Sequence, residues 1–202
     1  MSIPKLQDRF KDALTELRDK PILLVSTAGA CGIFVWTQDV IPYAGPVLSA
    51  MGTTVLLARM FKPNRLPLRS LLALGALTFP LNGLWTILMA LYANTAWGEP
   101  FSTAWSIPII FFMNFAFVVL VHSVRAITME NVGVDLGIRR GWKRTLMDLG
   151  PVMLSLVFMT MLGVASLATH GVLFLVFVPI ALALLKVSAD QTAAYSEAGT
   201  RT

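Results

Sequence analysis

Cysteine occurs once, at Cys31 inside an apolar run, so this chain can build neither an intrachain disulfide framework nor a thiolate metal cluster. Histidine occurs twice, and His122 and His170 fall at opposite ends of the apolar runs that hold them, which excludes a shared metal or haem. Charged residues make up only 13% of the chain, against about 25% in an ordinary globular domain. None of the 11 acids or 16 bases falls near the middle of an apolar run, where a proton-coupled carrier places its ionisable groups. Ser155 and Ser166 have no base at their level, and no paired carboxylates, glycine-rich phosphate loop or His-x-x-x-His spacing occurs. These absences predict a protein that is not an enzyme and that uses no cofactor and no metal.

What is present is apolar surface. The chain has 202 residues, 56% of them hydrophobic, and a mean hydropathy of +0.72. The sequence-based expectation is an all-α membrane protein, one integral domain over residues 1–202 with six transmembrane helices and two cytoplasmic amphipathic interfacial helices. The expected spans are 22–38, 46–61, 68–92, 106–124, 151–167 and 172–187. A run of 17 residues extends about 26 Å as a helix, the short end of what a bilayer core of about 30 Å requires. Pro21 and Pro151 each stand at the first turn of a run, where the missing N–H has no intrahelical partner. Pro80 with Asn82, and Pro108 with Asn114, mark kinks whose amides could line an intramembrane polar pocket. Residues 188–202, small and polar, are expected to form a flexible tail.

The amphipathic segments are 2–20 and 133–149. In the first, Ile3, Leu6, Phe10, Leu14 and Leu17 recur at helical spacing among Lys5, Arg9, Lys11, Arg18 and Lys20. In the second, stepping about 100° per residue from Ile138, Val134, Trp142, Leu146 and Leu149 fall between about −40° and +80°. Arg139, Lys143, Arg140 and Arg144 fall between about +100° and +240°. One greasy face and one cationic face suit a helix at a lipid headgroup boundary, so Arg139, Arg140, Lys143, Arg144, Arg9 and Lys11 are the candidate contacts to anionic lipid. Although the net charge is +5, the bases sit only in short links between apolar runs, which argues against nucleic acid as a partner.

The same distribution gives an orientation. With six spans, every Lys and Arg falls on the side of the termini, and the opposite loops carry only Asp39 and Glu99. Cationic loops stay cytoplasmic, which predicts cytoplasmic amino and carboxyl ends. The two amphipathic segments, each followed by a proline and a small-residue-rich apolar run, also suggest a parallel repeat, although any linker before a span shares that plan.

The run Gly133, Val134, Asp135, Leu136, Gly137, Ile138, Arg139, Arg140, Gly141, Trp142, Lys143, Arg144 resembles a segment of bacterial six-helix integral membrane proteins, mostly uncharacterised. That family is similar to the membrane-spanning module fused to some glycerophosphodiester phosphodiesterases, with Gly137 and Gly141 where the family usually has Ala and Ser. The resemblance implies a multi-pass protein of the bacterial inner membrane and no catalytic residues. The expected role is therefore a structural or auxiliary component that organises or regulates a membrane assembly, with anionic lipid and a protein partner or second copy as its contacts. The alternative is a carrier or binder of a lipid or small apolar solute, through the pocket near Asn82 and Asn114.

Overall fold

The computed structural model describes residues 6–19, 45–61, 66–78, 80, 100–149 and 174–199. They form helices α1 (Leu6–Asp19), α2 (Gly45–Phe61), α3 (68–78), α4 (Pro100–Met129), α5 (Val134–Met147) and α6 (Phe174–Gly199).

The main core lies where α2, α3, α4 and α6 meet. Leu57 and Met60 of α2, Leu71 and Leu74 of α3, Val118, Val121 and Val124 of α4 and Leu182 and Leu185 of α6 are buried together. Their three-residue spacing lays an apolar stripe along each helix. A second, smaller cluster joins α1 to α6, with Ala13 and Leu17 packed on Ala183, Leu184 and Val187. The α2–α3 contact is close because Gly75 has no side chain: a Cβ there would stand 2.7 Å from the Met51 Cα. Beside it, buried Thr54 turns its hydroxyl towards the carbonyls of Leu71, at 2.9 Å, and Met51, at 2.8 Å, so the hydroxyl is satisfied within the interface.

Helix α4 is 30 residues long, and α5 folds back along its end through residues 130–133. Asn131 makes the reversal possible, with φ of 54°, the left-handed region that asparagine tolerates better than most residues. Helix α6 continues to Gly199, through most of the residues expected to be a flexible tail.

Among the described residues, no helix is long and apolar enough to cross a membrane. The class is all-α, but six spans, a multi-pass location in the inner membrane and the orientation built on them do not stand. The physical reason lies in how the long helices use their last turns. Helix α4 buries His122, Ser123 and Thr128, and α6 buries Ser188 and Thr192, all polar side chains. Several described bases of the arm, the central link and the tail also meet acids of those same segments inside the bundle. Arg9, Arg125, Arg140, Arg144 and Lys186 all pair with carboxylates. The expected spans 22–38 and 151–167, residues 79 and 81–92 of the third and 172–173 of the sixth lie outside the described residues.

Candidate docking face and the ionic core behind it

Helix α5 has three faces, of which sequence periodicity resolves two. The face turned into the bundle carries Gly137, Gly141, Arg144 and Thr145, with Asp148 just past the helix end, all buried. It is small and polar rather than apolar. The glycines let α5 lie directly on α4: a Cβ on Gly141 would meet the Ser123 hydroxyl and lie 2.8 Å from the Val119 carbonyl oxygen. Hydroxyls at this contact bond back into their own helices, Ser123 to the Val119 carbonyl at 2.7 Å and Thr145 to the Gly141 carbonyl at 2.9 Å. The interface therefore forms without orphaning them.

Around this contact runs a network of charges. Arg9 of α1 meets Asp148 with both ends of its guanidinium, Nη2 donating to Oδ1 at 2.9 Å and Nη1 to Oδ2, and both side chains are fully buried. The fork geometry makes two parallel charge-assisted hydrogen bonds. Thr192 of α6 adds its hydroxyl to Asp148 Oδ2 at 2.9 Å, so three helices converge on one carboxylate. A second node is Glu130, which accepts from Arg125 at 3.0 Å and from Arg140 and Arg144. Arg125 also donates to Asp190 at 2.8 Å, and Lys186 links Asp190, at 3.3 Å, to Glu16 of α1, at 2.8 Å. At the surface, Gln191 donates to Asp12 at 3.0 Å.

Burial by itself would raise the Glu130 carboxyl, but hydrogen bonds from Arg144 and Arg140, with their positive charges, outweigh it and hold it below its ordinary range. His122 stands within the same cationic surroundings and is almost fully buried. Desolvation first, then the charges of Arg144, Arg125 and Arg9, lower it from 6.5 to about 3, so its imidazole is neutral. Among the described residues, its Nδ1 has no hydrogen-bond partner.

The outward face of α5 is different. Trp142 is 51% exposed, Leu146 47% and Leu149 43%, with Leu136 and Met147 exposed further round the helix. Trp142 packs edge-on against Phe115 of α4, ring centroids 5.5 Å apart, and Phe112 one turn earlier on α4 is also exposed. Arg139 and Lys143 are exposed beside this stripe, Arg139 paired with Asp135 at 3.2 Å.

The six basic candidates thus divide. Arg9 and Arg144 are buried in ion pairs, and Arg140, partly exposed, is bound to Glu130. Arg139, Lys143 and Lys11 face outwards. Asn114 is half-buried on α4, whereas Asn82 lies outside the described residues, as do Cys31 and His170. Sequence reading passed over Glu130, Asp148 and Asp190, the acids that organise the network. A signal existed for Asp190, which follows its partner Lys186 by four residues, one helical turn.

Among the described residues, no group of three or more His, Cys, Asp or Glu side chains is arranged to hold a metal ion. Comparison of the chain with protein-family models, curated proteins and solved structures finds no match.

Proposed function

We propose that the chain is a non-enzymatic structural or auxiliary module that works by docking, presenting the outward face of α5 to another member of an assembly. The observation that carries this reading is the pair Trp142 and Leu146, large apolar side chains exposed one turn apart on a helix whose opposite side is held by glycine contacts and ion pairs, with exposed Leu149 just past the helix end. Contiguous exposed apolar surface marks an interaction site more often than a scattered residue does. Burying it in a contact stabilises by roughly 25 cal/mol per Å² of apolar area. The ionic core supports the same reading from behind. Arg9, Thr192 and Asp148 tie α1 and α6 to the end of α5, so the helix is presented rigidly and little conformational freedom is lost on docking.

A photoreactive amino acid placed at Trp142 or Leu146 tests the reading in cells, with the exposed α3 position Ala76 as the control. Discrete adducts, to protein or to lipid, are expected from 142 and 146 and not from 76. Quenching by water at all three positions would remove the reading.

A further inference from the structure

We infer that the occupant of the α5 face is an anionic lipid surface, an inference that rests on the docking reading and names its partner. Three observations point to lipid. The apolar side of the face extends beyond one helix: Leu149, Trp142 and Leu146 continue through the Trp142–Phe115 contact to exposed Phe112 on α4, giving a ridge rather than a groove. Next to that ridge stand Arg139 and Lys143, one helical turn apart, on long side chains that can keep their charges in water while their stems lie on apolar surface. Arg139 and Lys143 thus adjoin an apolar stripe that itself contains Trp142, a combination of aliphatic, aromatic and cationic side chains on one exposed face that suits a headgroup boundary. A ridge with flexible charges also needs no pocket cut to its shape, which a fluid surface does not offer.

The internal pairing sharpens which charges take part. Arg9 and Arg144 are buried against carboxylates and Arg140 is held by Glu130, so the face reads an anionic surface with Arg139 and Lys143 alone. Asp135, four residues before Arg139 and paired with it, reduces that field on one side, which makes Lys143 the stronger contact. Neither the apolar ridge nor the two bases suffices alone, because stable attachment to a lipid surface takes two signals.

The test is co-sedimentation of the full chain with vesicles of phosphatidylcholine alone and with vesicles of equal parts phosphatidylcholine and phosphatidylglycerol. The chain is expected to prefer the phosphatidylglycerol vesicles, and to lose that preference as salt is raised. Lys143 contributes about fivefold in affinity and Arg139, offset by Asp135, less, so Arg139→Gln with Lys143→Gln weakens binding by between about fivefold and about twenty-fivefold and flattens the salt dependence. Trp142→Ala with Leu146→Ala weakens binding to the phosphatidylglycerol vesicles without flattening its salt dependence. Arg69→Gln, on exposed α3, leaves binding unchanged. All the altered side chains are exposed, and circular dichroism with a thermal melt confirms that each variant is folded. Equal binding to both vesicles, or no effect of the double Gln variant, overturns the inference. If the chain binds neither vesicle while positions 142 and 146 still cross-link to a protein, lipid is wrong and docking stands; if they cross-link to nothing, both fall.

Discussion

His122 turns the ionic core into a measurable pH dependence. In the unfolded chain its imidazole has the ordinary value of 6.5, and in the fold burial and three surrounding arginines lower it to about 3. A histidine depressed on folding binds fewer protons in the native state than in the unfolded one, so stability is full above the unfolded value and declines as pH falls through 6.5 towards the folded value. At about pH 5 nearly every unfolded chain carries the extra proton and nearly no folded chain does, and the linkage amounts to about 2 kcal/mol relative to about pH 8. The figure hardly changes if the folded value is a unit higher, because pH 5 lies well above either. Glu130 does not confuse the window: its depressed carboxyl contributes stability that is lost only below its ordinary value of 4.5. The assay is denaturant unfolding of the wild type and His122→Gln at several pH values between 5 and 8, in the linear-extrapolation regime. The wild type should lose about 2 kcal/mol across the range and the variant much less; any contribution of His170 is common to both and cancels. Parallel lines for the two proteins would refute the reasoning, because they would mean that His122 takes up its proton in the folded state.

Two further outcomes follow from the geometry. Removing one partner of the Arg9–Asp148 pair, by Arg9→Met or Asp148→Leu, leaves a fully buried charge uncompensated and should cost about 3–5 kcal/mol in denaturant unfolding, whereas the two together should cost clearly less than their sum. Gly141→Ala should cost about 1–3 kcal/mol, since the new methyl meets the Ser123 hydroxyl and backbone atoms of α4; Gly137→Ala should cost less, since its nearest neighbour, at 2.6 Å, is the movable Ile127 side chain.

Much of the helical content was legible, because helical periodicity depends only on spacing. The α1 stripe through Phe10 and Leu17 and the amphipathic run around Ile138 both fall on helices. What periodicity could not give was the environment of each face. Arg144 was read as part of the cationic face that stays wet, yet it is buried against Glu130. The decisive features were Gly137 and Gly141, whose missing side chains admit α4, and Glu130, which gives the arginines a carboxylate to meet. Neither raises an apolar count, so a hydrophobic stripe is blind to them. Base clustering misled for a related reason: a run of Lys and Arg looks the same whether its counterions are lipid phosphates or carboxylates 10 or 139 residues away, as Glu130 is from Arg140 and Asp148 from Arg9.

The reversal at Asn131 and the Arg9–Asp148–Thr192 junction also differ in when the chain can make them. Joining α4 to α5 requires only a few residues of loop, so that helical hairpin can assemble soon after its helices exist, at small entropic cost. The junction joins residues 139 apart and accepts a hydroxyl from a third helix, and it cannot close until both ends of the chain have arrived. It acts as a completion check on folding: until α1 docks, the Asp148 carboxylate lacks its guanidinium, and the end of the displayed helix is left unlatched.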